Sequence, residues 1–344
     1  MSARFKPQLL PMTVGSLPHT EAQVACDLIM THFAELPGWP QLPKRSYLEN
    51  MYVQFSAGFP GIVREENRIY VDRTKDLSAD LERLYRAYLE NDVDAYEVSA
   101  DYAAGLALFL QVACDSCRAV KGQVTGPVSW GLTVVDQDRR PVLYDEVLAD
   151  AVAKHLRLKA AWQEARLRRL HPTTIMLVDE PYMSSFGSAY VPVTRDQVLA
   201  LLEEVLGGLR GLKGIHCCGN TDWSLVLSTS VDILSFDTYE YSESLSLYAG
   251  EVRDFLQRGG IIAWGIVPRD VEKLADETME SLVDRLHQAM KLLVRKGIAL
   301  DDLLGASLVS PCCGLGTLSL EDSERALALT AGVSREMRRR YVVT

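Results

Sequence analysis

The chain of 344 residues has no uninterrupted apolar run long enough to cross a bilayer, which excludes a transmembrane helix as its organising element. Its first residues, Met1-Ser2-Ala3-Arg4-Phe5-Lys6-Pro7, carry charge but no apolar core of signal-peptide length, so a cytoplasmic location is expected. Positive charge is in deficit: 36 Lys and Arg against 46 Asp and Glu give a net charge of −10 and a pI near 5.2. That balance repels nucleic acid and anionic membrane alike, and neither is expected as a partner. No G-x-G-x-x-G or Walker sequence occurs, so the usual phosphate turn of a nucleotide-binding sheet is missing. No Pro/Gly/Ser-rich linker divides the chain. Seven cysteines, an odd number with two adjacent pairs, do not make a disulfide framework. Such thiols read as metal ligands, catalytic groups or core.

What the chain does have is 48% hydrophobic residues, enough for a large core, arranged in segments of two alternating periods. Strands are predicted over residues 9–16, 95–98, 120–127, 174–181, 213–218, 231–237, 260–268 and 303–313. Helices are predicted over 22–35 (with Thr20 as N-cap), 77–90, 143–170, 197–209, 222–228, 245–257, 271–296 and 320–341. The helix 143–170 is expected to wet Arg157, Lys159, Arg166, Arg168 and Arg169. Residues 37–70, rich in Pro, Gly and aromatics, are too long for an ordinary loop and are expected to cover a pocket. The alternation predicts an α/β fold, a (β/α)₈ TIM barrel forming one domain over residues 1–344, with a long excursion after the first βα unit. A doubly wound open sheet is the alternative. Polar residues fall at predicted strand ends, where a barrel places its active site: Ser16, Glu97, Asp179, His216, Cys218, Asp237 and Cys313.

The most informative stretch is Ile215-His216-Cys217-Cys218-Gly219-Asn220. In a strand alternate side chains share a face, so His216 and Cys218 point together and Cys217 points away. A third ligand is available from Pro311-Cys312-Cys313-Gly314, at another strand end, and a fourth from Asp237. Imidazole with thiolates suits Zn²⁺, with one position left for substrate. The competing reading is that both Cys pairs are simply buried, and which member of each pair binds stays open. A thiolate-rich shell favours holding a substrate thiol as thiolate over generating hydroxide. Cys114-Asp115-Ser116-Cys117 is read as helix packing rather than a redox pair, and His32, His155, His171 and His287 as structural or surface residues.

Five segments, in order, resemble the catalytic barrel of cobalamin-independent methionine synthase. Thr13-Val14-Gly15-Ser16-Leu17-Pro18-His19-Thr20 is similar to the family's T-I-G-S-F-P-Q-T. Lys121-Gly122-Gln123-Val124-Thr125-Gly126-Pro127-Val128 resembles K-G-x-x-T-G-P-V, and Asp179-Glu180-Pro181 matches D-E-P. His216-Cys217-Cys218 corresponds to H-x-C, and Pro311-Cys312-Cys313-Gly314-Leu315 to P-D-C-G-L. The same superfamily holds uroporphyrinogen decarboxylase and the corrinoid-dependent thiol methyltransferases.

The resemblance implies zinc on His216, Cys218 and Cys313. It aligns the family's glutamate ligand with Asp237, a shorter side chain, with Glu240 as the fallback. It further implies that Ser16 and Asp179 contact the amino-acid end of homocysteine, with Glu49 a looser match for a second carboxylate. His19, where the family has glutamine, is either a substrate contact or a turn hydrogen bond. Gly316 replaces a family lysine, the folate-binding second barrel has no counterpart, and Gly219 follows the H-x-C as in the corrinoid enzymes. These departures point to a methyl-corrinoid protein as donor. The expected function is zinc-dependent methylation of homocysteine to methionine. A coenzyme M methyltransferase and a uroporphyrinogen decarboxylase-like enzyme are the alternatives within the superfamily. A non-enzymatic zinc protein with a closed four-ligand site is the alternative outside it.

Overall fold

The computed structural model describes residues 5–188 and 191–342. Among these, ten strands succeed one another: β1 (Leu10–Pro11), β2 (Ile62–Glu65), β3 (Arg68–Val71), β4 (Val120–Thr125), β5 (Val135–Asp136), β6 (Thr174–Asp179), β7 (Leu212–Cys217), β8 (Ile233–Asp237), β9 (Ile261–Val267) and β10 (Ser307–Pro311). Seven of them form one parallel sheet in the order β1-β10-β9-β8-β7-β6-β4. Apart from the return to β1, each strand pairs with the next large strand in sequence, the stepping expected of a barrel-like winding. β2, β3 and β5 make a separate small sheet.

Both faces of the main sheet are buried, and strand parity sorts residues between them. Ile175 and Leu177 of β6, Ile233 of β8, Ile261 and Ala263 of β9, and Leu308 of β10 form a small apolar cluster on one face. Their alternates Met176, Val178, Ile215, Cys217, Leu234, Phe236, Ile262, Trp264 and Val309 join the large cluster that the helices cover. Each large apolar side chain buried contributes about 1.5–3 kcal/mol, so a one-residue register slip would be costly on every strand. Continuing the first parity toward the C-terminal strand ends gives Asp179, His216, Ser235 and Asp237. The register aligns Asp179 with His216 and His216 with Ser235. The polar residues therefore cap the apolar plug at the ends of adjacent strands.

The expected eighth strand is not formed, and continuous pairing does not close the sheet. Between β1 and β4 runs the segment 37–41, held by isolated parallel bridges, Gly38 with Lys121 and Ser16 with Gln41. Pro37 and Pro40 lack the amide protons that a continuous ladder needs. Residues 95–98, expected as a strand, instead follow a 3-10 turn over Val93–Tyr96. The Asp92 carboxylate accepts from the Ala95 amide at 3.4 Å, a local cap that competes with extension.

Most helices match expectation, and their ends are set by caps. Asp145 accepts from Val147 N and Leu148 N, starting the helix Glu146–Leu167 later than the apolar period suggested. Lys159 of this helix is not on a wet face: it is 2% exposed, and its Nζ donates to the Glu97 carbonyl at 2.9 Å beside the Tyr96 ring. The predicted helix 271–296 is two, Val271–Asp276 and Met279–Val294, because Asp270 and Thr278 each cap a new start. The predicted helix 245–257 likewise begins earlier and is divided, as Thr238–Ser246 and Ala249–Gln257. Helix Ala22–Phe33 has Glu21 at its N-cap with no side-chain cap bond, so Thr20 does not play that part. No helix of the described residues is long and apolar enough to cross a membrane.

Candidate metal and substrate site

β7 ends at Cys217, and the thiol of the next residue, Cys218, lies within 4.8 Å of that of Cys313, just past the end of β10. There the pairing with β9 shifts register between Ser310 and Pro311, just before Cys312 and Cys313. His216, Cys218 and Cys313 each bring one donor atom to within 4.8 Å of the other two. His216 is 4% exposed. Its Nδ1 lies 3.0 Å from the Ser235 hydroxyl, and its buried Nε2 has no hydrogen-bond partner. An imidazole oriented through one nitrogen and bare at the other is how a metal-ligating histidine is prepared. The two thiols are half-buried. The Cys313 thiol and the His216 imidazole draw Cys218 down to about 4, and Cys313 is pushed up by Cys218 and by burial.

Cys217 and Cys312, the other member of each pair, lie outside this group. Cys217 packs in the helix-side core, and burial lifts its thiol to about 12. Cys312 is 5% exposed and likewise raised by burial. Alternation along β7 separates Cys217 from Cys218, whereas Cys313 comes to the group only past the register shift at Ser310 and Pro311. Asp237 also lies outside the group of three. Its Oδ1 accepts from Glu240 N at 3.0 Å as the cap of helix Thr238–Ser246, and burial lifts its carboxyl to about 6. Glu240 pairs with Lys273 on the outside.

The three donors open on a cavity of about 570 Å³ that Ser16, Glu49, Asp179 and Arg269 also line. Asp179 is 7% exposed and its Oδ1 lacks a partner. Burial raises its carboxyl to about 6, against the pull of His216 and of Lys121. Lys121 is fully buried and donates to the Val14 carbonyl at 2.6 Å and to Gln123 Oε1 at 2.8 Å. Ser16 Oγ accepts from Gly316 N at 3.3 Å, and Gly314 is tight against it: a Cβ there would come within 2.2 Å of Ser16 Oγ. The excursion contributes Gln41, Pro43, Lys44, Glu49, Asn50 and Met51, so it does cover a pocket. Glu49 spends its oxygens on Leu42 N at 3.1 Å and Arg45 at 2.8 Å. His19 does not line the cavity; its Nε2 lies 3.6 Å from Glu324 Oε1.

Sequence reasoning missed Ser235, Lys44 and Arg269. Arg269 carried the same signal as the others, a polar residue just past the end of a strand, and Ser235 shares the parity of Asp237 on β8. Trp264, at the middle of β9, belongs to the helix-side core and donates to Ser307 Oγ at 2.7 Å. Cys114 and Cys117, read as packing thiols, are joined as a disulfide in the turn after helix Ala104–Phe109. The turn brings their Cα atoms within 5.2 Å, and a four-residue spacing alone does not decide that.

No protein-family model matches the chain, and no curated protein does. Solved structures are similar in fold. A B12-independent methionine synthase from Shewanella sp. W3-18-1, in complex with selenomethionine, superposes with a TM-score of 0.58 at 18% identity over 96% of this chain and 98% of that one. A methyltransferase from Methanosarcina mazei superposes at 0.52 with 15% identity over 91% and 86%.

Proposed function

We propose that the protein is a zinc-dependent S-methyltransferase that methylates homocysteine to methionine, taking the methyl group from a methyl-corrinoid protein. The observation that carries the reading is His216 Nε2, buried and without a partner, grouped with two thiols at the floor of a cavity that also holds the unpartnered Asp179 Oδ1. The donors fit zinc: one imidazole and two sulfurs, with the cavity side left for a substrate thiol. When bound, the metal would supply a lowered thiol pKa, so that the substrate sulfur is a nucleophile at neutral pH.

The chain's own residues do the rest. Ser235 fixes the tautomer and angle of His216 through Nδ1. Asp179, kept next to the buried Lys121 ammonium, offers a free oxygen to the substrate's ammonium group. Ser16, fastened to the Gly316 amide, contacts the amino-acid end beside it. Held this way, the sulfur faces the cavity mouth, where a donor methyl can be presented in line, and proximity supplies much of the acceleration. The excursion over residues 37–70 is the surface on which a corrinoid protein would dock. Similarity of fold to a methionine synthase and to a methyltransferase supports the reaction class.

One observation favours a second reading. Arg269 and Lys44 line the same cavity, and cations suit the sulfonate of coenzyme M as well as a carboxylate. The deciding experiment is metal analysis of the purified protein, together with methyl transfer from methylcobalamin to homocysteine by wild type and Cys313→Ser. Zinc near one equivalent and activity lost in the variant are expected. A metal-free, fully active wild type defeats the reading.

A further inference from the structure

We propose that Arg269 is the anion receptor of the cavity and takes the carboxylate of the thiol substrate, while Asp179 takes its ammonium. The inference rests on the thiol-methylation reading and deepens it. Arg269 follows Pro268 directly after β9, and its neighbour strand β10 holds the chain there through a bond from Cys312 N to the Val267 carbonyl at 2.9 Å. The side chain lines the cavity shared by His216, Cys218, Cys313, Ser16 and Asp179. Its guanidinium therefore belongs to the same cavity wall as the two thiols of the group of three.

The other cations around this end of the sheet are committed. Lys273 pairs with Glu240, Arg285 with Glu277, Arg45 with Glu49, and Lys44 donates to the Leu318 carbonyl at 2.6 Å. Among the described residues, Arg269 has no carboxylate within 4.0 Å and no hydrogen-bonded side-chain partner. A guanidinium with its fork of donors free, lining a cavity that also carries a buried carboxylate with a bare oxygen, complements a zwitterion. A thiol lacking an acidic group would leave Arg269 unused. A thiol lacking an amine would leave the Asp179 charge buried and unmatched.

The test is calorimetric titration of the zinc-supplemented protein with homocysteine, with homocysteamine (the same molecule without its carboxylate) and with coenzyme M. Wild type, Arg269→Met and Arg269→Lys are compared, with thermal melts to show that all three fold alike. Arg269→Met is expected to weaken homocysteine by about 10- to 100-fold, the range of a charge-assisted hydrogen-bond pair, and to leave homocysteamine unchanged. Arg269→Lys should recover part of the loss. Equal weakening of both thiols, or of neither, overturns the assignment. If wild type binds coenzyme M and not homocysteine, the homocysteine reading falls. The Arg269 role then stands if Arg269→Met weakens coenzyme M, and falls if it does not. Binding of none of the three sinks both.

Discussion

Ser235 is the residue through which the candidate metal site can be disturbed without touching a ligand. Its hydroxyl is fully buried, sits 3.0 Å from His216 Nδ1 and comes from the strand paired in register with His216. Ser235→Ala removes that partner and leaves a second imidazole nitrogen buried and bare beside Nε2. The ring then loses its tautomer preference and part of its orientation. Outer partners of this kind are worth about 10- to 100-fold in metal affinity, which is about 1.4–2.7 kcal/mol. The protein itself should lose only about 1 kcal/mol of stability, the worth of one neutral hydrogen bond. Competition for zinc against a chromophoric chelator reads the first quantity, and urea unfolding of the metal-free protein reads the second. Zinc affinity unchanged within about twofold, at the precision of a titration, would refute the reasoning. It would mean that His216 is held by packing, or does not bind metal.

Three further outcomes are expected. Cys218→Ser should abolish zinc retention after gel filtration, whereas Cys217→Ser, altering a thiol in the helix-side core, should keep zinc and lose stability instead; the opposite result would reverse the parity assignment. Lys159, whose burial lowers its ammonium to about 8, titrates in the folded state before the unfolded state, where its value is 10.5. Between those values the unfolded chain binds the extra proton, so this group's contribution rises with pH by about 1.4 kcal/mol per unit, about 3 kcal/mol in all. Paired urea titrations of wild type and Lys159→Met should show wild type gaining on the variant above pH 8, and a flat difference would exclude a buried titrating ammonium. At Gly265 a Cβ would come within 2.4 Å of the Phe236 carbonyl and 2.8 Å of Cys312 Cα. Gly265→Ala should therefore cost about 2–3 kcal/mol in chemical unfolding and weaken zinc binding by displacing the Cys313 turn; wild-type stability in this variant would show the backbone yielding freely.

Much of the site was legible because strand parity is a local property. His216 and Cys218 are two residues apart, so any extended conformation puts them on one face, and Cys217 must then enter the opposite layer. The same arithmetic put Asp179 at a strand end, whereas Ser16, read as the end of a strand over 9–16, lies five residues past the two-residue β1. It failed where a side chain had a local alternative: residues 95–98 read as a strand on paper, and the Asp92 carboxylate caps a 3-10 turn there instead. It also failed for Lys159, because a long helix between the sheet and a second layer of helices buries most of its circumference, and a cation there finds a carbonyl instead of water.

By itself, then, the sequence determined the α/β alternation, the buried faces of the strands and that Cys218, unlike Cys217, shares a face with His216. These follow from periods of two and about 3.6 residues, which need no knowledge of distant partners. Only the tertiary structure decided that Cys313 reaches Cys218 across nearly a hundred residues of chain, since that depends on how the sheet curls and where the β9–β10 register shifts. It also decided that a proline-interrupted segment stands where an eighth strand was expected, and that Arg269 faces the sulfur site with its charge unspent. Pattern assigns a residue to a face. Convergence of faces is a long-range property, and it made a site out of the residues that the pattern could only place one by one.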